Sequence, residues 1–233
     1  MKLCVFADIH GNKLAFDKAY PMILDEQADR NIFLGDLCGY YFDETLILKR
    51  LKEMPRLIAL KGNHDQMFLE AALGNDPLKE MYSRKYGPSL DHFLKKPDRS
   101  ALLDWMSHCS GSYVHPEGLF SCYHGSPGDP LNGYIYPDSD LKVFEDCGSS
   151  YIFLGATHYP MIKKLKSTMI VNPGSLGQPR QGAWPTYAVV DTQTHNVALK
   201  EVQYNKEEFI KHIGPFCHQH PYLTDVILRE KNV

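Results

Sequence analysis

Short apolar runs, each ending at a glycine beside a polar side chain, recur along the first part of this chain. Residues 2–7 hold Leu3, Cys4, Val5 and Phe6 in a nearly unbroken run that stops at Asp8-Ile9-His10-Gly11-Asn12. Such continuity is the mark of a strand buried on both faces. A second run, 31–34, stops at Gly35-Asp36-Leu37-Cys38-Gly39, and a third, 57–60, leads into Gly62-Asn63-His64-Asp65. Between the first two, Leu14, Phe16, Ala19, Met22 and Ile23 predict a helix with Asn12 as N-cap, which Pro21 should kink or interrupt. Residues 43–52 predict a second helix. The order β-α-β-α-β implies parallel strands joined by right-handed crossovers, with their carboxyl ends on one rim.

Residues 66–111 read as helical and irregular, with a Tyr82-Ser83-Arg84-Lys85-Tyr86 patch, and are treated as an insertion against that rim where selectivity can reside. The second half returns to strands. Residues 119–123 end in His124-Gly125-Ser126-Pro127, and 151–154 end in Gly155-Ala156-Thr157-His158-Tyr159-Pro160. Strand-like runs follow at 168–171, 186–190 and 197–202, the first two separated by the turn-rich Asn172-Pro173-Gly174-Ser175-Leu176-Gly177-Gln178-Pro179-Arg180, and a helical stretch starts near Lys206. His92, His108 and His115 read as surface or packing histidines, and the polar His218-Gln219-His220-Pro221 is left outside any site.

Length and charge narrow the function. A chain of 233 residues suffices for one large domain or two small ones without covalent staples. The net charge of −3 is interspersed, so no basic stripe argues for a nucleic-acid footprint. The six cysteines show no paired zinc-type spacing and are read as reduced, in a cytoplasmic protein. The first apolar run is too short for a signal peptide, and no run approaches a membrane span.

The candidate chemistry lies at the strand ends. Asp8 and His10, Asp36, Asn63 and His64, His124, and His158 occupy five separate ones. Each alone is explicable as turn chemistry; five together are hard to assign that way. Carboxylates, imidazoles and an amide suit manganese, iron, zinc, nickel or cobalt better than magnesium or calcium, and the set is too rich for one ion. Two divalent ions are the natural reading, able to activate a water and clamp a phosphoryl group. His64 titrates near neutrality and can act as a general acid. Asp65 either holds that imidazole in one tautomer or caps a following helix.

Taken in order, Asp8-x-His10, Gly35-Asp36, Gly62-Asn63-His64-Asp65, His124 and Gly155-x-x-His158 resemble the motif set of the calcineurin-like metallophosphoesterases. The later motifs, His124-Gly125-Ser126-Pro127 and residues 172–180, are similar to those of the compact bacterial and archaeal phosphodiesterase branch. The resemblance implies an α/β fold, a four-layer αββα sandwich of two mixed sheets flanked by helices. It runs from residue 1 to about residue 202; the domain is expected to span 1–204, with a C-terminal helical tail, 205–233, packed on the same domain. By position it implies Asp8, His10 and His158 on a first metal, Asp36 bridging, Asn63 and His124 on a second, and His64 protonating the leaving oxygen or stabilising phosphate charge. Arg180 is either a phosphate contact or an ordinary loop arginine.

Two residues depart from the family pattern. Ala156 stands where relatives carry a further histidine ligand, so the second site should be weaker, or completed by water or by another side chain. Gly39 stands where many carry an aspartate that orients the general acid; Asp65 is the candidate substitute. The activity implied is metal-dependent hydrolysis of a phosphoric ester, with manganese favoured and a small or nucleotide-like phosphodiester as substrate. Tyr134 and Tyr136 can stack on a base or simply pack. A phosphomonoesterase, a protein phosphatase, a dinucleoside polyphosphate hydrolase and a metal-poor protein-binding scaffold are the alternatives.

Overall fold

The computed structural model describes residues 1–145 and 147–229. The apolar runs become strands: β1 (Lys2–Phe6), β2 (Arg30–Phe33) and β3 (Leu57–Ala59) lie parallel, and β9 (Thr186–Asp191) and β10 (Asn196–Glu201) complete a five-stranded sheet in the order β10-β9-β1-β2-β3. The second sheet has the order β4-β5-β6-β8-β7, from β4 (Ser112–Val114), β5 (Phe120–Tyr123), β6 (Tyr151–Leu154), β7 (Met161–Lys164) and β8 (Met169–Asn172). Its three central strands are parallel and its edges antiparallel.

The unbroken runs are explained by burial on both faces. Leu3, Val5, Ile32 and Leu34 meet Phe120, Tyr151, Phe153 and Val171 between the sheets. Cys4, Phe6 and Phe33 point the other way, under α1 (Lys13–Asp25), α2 (Glu44–Glu53), α3 (Asn63–Ala72), α4 (Asp76–Tyr86), α5 (Ser89–Leu94) and α6 (Arg99–His108). The outer face of the second sheet, with Ile152, Leu154 and Ile170, is covered by Phe144 of a single 3₁₀ turn, Lys142–Phe144. Two mixed sheets packed face to face and flanked by helices are the architecture the sequence implied.

Three local expectations are corrected. Pro21 does not interrupt α1; it lies on the exposed side of a helix that runs on to Asp25, with the Asn12 side chain accepting from the Ala15 amide as N-cap. The helical segment begins at Asn63 rather than at 66, so the Gly-Asn-His-Asp motif is itself a helix start. Strands β4 and β7 were not foreseen. Both are sheet edges, and the outward Lys163 and Lys164 of β7 break the apolar pattern, as edges commonly do.

The tail forms α7 (Lys206–Cys217) and α8 (Tyr222–Leu228). Phe209, Ile213, Leu223 and Ile227 bury against Tyr40, Tyr41 and Phe42 of the loop after β2. The Tyr41 hydroxyl donates to the Leu223 carbonyl at 2.9 Å. That packing backs the rim loop carrying Asp36. Among the described residues no helix is long and apolar enough to cross a membrane.

Candidate metal centre

Backbone hydrogen bonds weld the strand-end loops to one another. The amides of Asp8, His10 and Gly11 donate to the carbonyls of Gly35, Asp36 and Leu37, so the loops after β1 and β2 run side by side. The Gly155 amide donates to the His124 carbonyl, and the Ser175 hydroxyl and Gly177 amide both reach the Asp8 carbonyl. Asp8, His10, Asp36, Tyr40, Ala156 and His158 all adopt the left-handed conformation, with φ between 50° and 63°. Aspartate and histidine tolerate that region better than most residues, and the welded loops hold it.

This backbone brings Asp8, His10, Asp36, Asn63, His64, His124 and His158 together, all of them buried. Three imidazoles share one arrangement. Nδ1 donates to a carbonyl, from His10 to Cys38 at 2.8 Å, from His124 to Leu34 at 2.9 Å and from His158 to Gln178 at 2.8 Å. Each tautomer is thereby fixed, and Nε2 faces inward. His10 Nε2 and His158 Nε2 stand 3.0 Å apart, and His124 Nε2 is 2.9 Å from Asn63 Oδ1. Asp36 Oδ2 lies 3.7 Å from His10 Nε2 and 3.4 Å from His124 Nε2, between the two halves of the cluster.

These donors fit divalent metal. Both carboxylate oxygens of Asp8 and Oδ2 of Asp36 are buried without a hydrogen-bond partner, and bare buried carboxylate oxygens are costly unless a cation answers them. Two inward lone pairs at 3.0 Å need one for the same reason. Two groups have donor atoms close enough to share an ion: Asp8, His10 and His158, and Asp8, Asp36 and His124. The mixed nitrogen and oxygen set suits a transition metal.

Burial dominates the electrostatics. It pushes His10 down to about 3 and His64 down to about 4 against the pull of Asp36, so both rings are neutral near pH 7. Burial would also lower His124, but the Asp36 and Asp8 carboxylates outweigh it and raise that ring to about 9. Without metal, His124 therefore keeps a proton on Nε2 that Asn63 Oδ1 accepts, and a cation entering there displaces it. Burial lifts the Asp8 carboxyl well above the usual carboxylate range. For Asp36, His124 and His64 more than offset the burial, and it stays ionised.

Asp65 does not orient His64. Its Oδ2 accepts from the amides of Asp36, Leu37 and Gly62 at 2.9, 3.3 and 3.0 Å, and Oδ1 from the Cys38 amide at 2.9 Å. The carboxylate thus takes up the N-cap amide of α3 and shapes the Asp36 loop, which consumes its lone pairs. Asp65→Ala strands buried donors and is expected to cost about 3–5 kcal/mol of stability, read as a lower urea midpoint. His64 Nδ1 instead meets the Tyr82 hydroxyl at 2.8 Å. Tyr82 was visible as part of an aromatic patch, but its eighteen-residue separation from His64 gave no sign of the contact.

Gly62 is required for a steric reason. Any Cβ there would overlap Asp36 Oδ1 and stand 2.6 Å from the His124 ring, although its φ is ordinary. Gly62→Ala is expected to lose metal and activity together while keeping the fold, measured as bound metal per chain beside circular dichroism.

A cleft of about 380 Å³ opens over the cluster, lined among others by His64, Lys85, Tyr86, Tyr134, Tyr136 and Arg180. Arg180 donates to the Tyr40 hydroxyl at 3.3 Å and the Gln178 side-chain oxygen at 2.9 Å. Among the described residues neither Lys85 nor Arg180 forms an ion pair with a carboxylate. Tyr134 accepts from the Asn63 side-chain amide at 3.1 Å, which ties the cleft wall to the cluster. Ala156 is also on this wall, and among the described residues the donor group that contains His124 is completed by Asp8 and Asp36.

Comparison with known proteins decides the family. The model of the calcineurin-like phosphoesterase superfamily domain matches residues 1–195. The chain belongs to that superfamily. This phosphoesterase is 25% identical over 228 residues to an uncharacterised protein of Methanocaldococcus jannaschii, covering 87% of this chain and 88% of the relative. It is 30% identical over 121 residues to a symmetrical bis(5'-nucleosyl)-tetraphosphatase of Nitrosospira multiformis, which covers 49% of this chain and only 42% of that enzyme. A hypothetical protein from Pyrococcus horikoshii superposes with a TM-score of 0.81 at 21% identity, over 100% of this chain and 99% of the other, which shows the fold is shared. A calcineurin-like phosphoesterase is a metal-dependent hydrolase of phosphoric esters, and the buried donor cluster fits that chemistry.

Proposed function

We propose that this phosphoesterase is a phosphodiesterase acting on a small, nucleotide-like substrate. The observation that carries the reading is the cleft: an aromatic and cationic wall directly over the donor cluster. Tyr134 and Tyr136 present exposed rings 6.5 Å apart and only 19° from parallel. Such faces suit a nucleobase. Lys85 and Arg180, unpaired with any described carboxylate, suit the phosphate charge, and a volume of about 380 Å³ suits one nucleotide better than a protein loop.

In this reading Asp8, His10 and His158 hold one ion, Asn63 and His124 the other, and Asp36 lies between them. A bound divalent pair, with manganese favoured among the transition metals, supplies Lewis acidity and lowers the pKa of the attacking water. The residues supply the rest. The Nδ1 bonds to Cys38, Leu34 and Gln178 keep three lone pairs aimed inward, Arg180 meets the phosphate, and His64 gives a proton to the leaving oxygen. A cytoplasmic setting is part of this proposal, in which Cys4, Cys38, Cys122 and Cys217 pack as buried thiols. The match to a bis(5'-nucleosyl)-tetraphosphatase keeps dinucleoside polyphosphates as a second substrate reading.

Ala156 should leave the second ion weakly held. Ala156→His is expected to tighten the second manganese-binding step about tenfold or more in calorimetry, leaving the first unchanged. For the substrate, thymidine 5'-(p-nitrophenyl) phosphate should be hydrolysed with a higher kcat/KM than p-nitrophenyl phosphate. Tyr136→Ala should raise KM for the nucleoside ester alone. A monoester preference in the wild-type chain would replace the diester reading, and an unchanged nucleoside KM in the variant would remove the base-stacking role.

A further inference from the structure

Tyr82 is wholly buried, yet its hydroxyl lies 2.8 Å from His64 Nδ1. The ring sits edge-on to His64 at 5.5 Å, and Tyr86, one turn further along α4, meets the same imidazole at 4.6 Å. Among the described residues no carboxylate contacts Nδ1. Asp65 is committed to backbone amides, and Gly39 approaches so closely that a Cβ would stand 2.8 Å from His64 Nδ1 and 2.7 Å from His10 Nδ1, at a φ of 112°. His64 Nε2 has no hydrogen-bond partner among the described residues, and the ring lines the cleft.

We propose that the Tyr82 phenol is the positioning residue for His64, holding the imidazole through Nδ1 so that Nε2 faces the leaving oxygen of the substrate. This rests on the general-acid reading of His64. A phenol suits the task because its oxygen accepts from Nδ1–H while burial raises its own pKa well above the usual range, so it stays neutral and keeps its proton. The acting form is the imidazolium, which takes its Nε2 proton from solvent through the cleft; as the P–O bond breaks, the electron pair stays on the leaving oxygen and that proton passes to it. The imidazole returns to its neutral form with Nδ1–H still on Tyr82. Helix α4, read from sequence as a selectivity insertion, is thereby part of the proton-delivery apparatus.

Tyr82→Phe removes one oxygen and keeps the ring. With manganese loaded, kcat on a uridine 3'-alkyl phosphate, whose leaving group needs a proton, should fall about tenfold or more, within the ~10²–10⁴ that a general acid supplies. KM and bound metal should hold, and bis-p-nitrophenyl phosphate turnover should change little. In a His64→Ala background the same change should add nothing. The ring nitrogens of His64, assigned on the zinc-loaded chain by difference from His64→Ala, should report a hydrogen-bonded Nδ1–H in the wild type and a shifted Nδ1 signal in Tyr82→Phe. Equal loss on both esters, an additive effect without His64, or an unchanged Nδ1 signal would each overturn the assignment. The nitrogen spectrum decides even if the substrate reading fails, because it needs no turnover.

Discussion

Asp36→Asn is expected to bring hydrolysis below detection and to strip metal from the chain without unfolding it. The carboxylate has two jobs that separate cleanly. Oδ1 accepts the His64 amide at 2.9 Å, and an asparagine oxygen can continue to do so. Oδ2, buried and without a hydrogen-bond partner, faces His10 and His124 across 3.7 and 3.4 Å. An amide nitrogen there presents hydrogens where a shared ligand is needed and removes the negative charge at the middle of the cluster. Bound manganese per chain and kcat/KM should fall together, with the melting profile of the metal-free protein nearly unchanged. Full metal occupancy in the variant would place the bridge on another residue, Asp8 being the next candidate from its place in both donor groups.

His64→Ala is expected to cost about 10²–10⁴ in turnover on esters with poor leaving groups, and far less on nitrophenyl esters, whose leaving oxygen barely needs a proton. The ring's surroundings favour such a role. It is buried beside Asp36 yet lines the cleft, and burial has lowered its pKa to about 4, so the protonated ring is a strong donor and metal content should not depend on it. Loss by the same factor on both ester classes would leave His64 stabilising phosphate charge instead of giving a proton.

The rim was legible because of its unusual burial. Parallel strands covered on both faces leave continuous apolar runs, so the ends of β1, β2, β3, β5 and β6 could be located, and with them Asp8, His10, Asp36, Asn63, His64, His124 and His158. Edge strands offer no such run, and β4 and β7 went unread. Asp65 misled because a carboxylate next to a histidine in sequence is an obvious partner, whereas the first turn of a helix directs consecutive side chains to different sides. Its oxygens face the Asp36 loop while His64 faces Tyr82. The Nδ1 acceptors were equally invisible, being backbone carbonyls of Leu34, Cys38 and Gln178, whose identity leaves no mark on the sequence.

The most direct test of the account is to strip the wild-type chain of metal, titrate it with manganese, and follow bound metal and hydrolysis of bis-p-nitrophenyl phosphate and p-nitrophenyl phosphate in one series. Without metal no turnover is expected; activity should rise with loading, the second binding step should be weaker than the first, and the diester should be preferred. Full loading with no hydrolysis of either ester or of a nucleoside diester would contradict it, and would turn the same fold into a protein-binding scaffold.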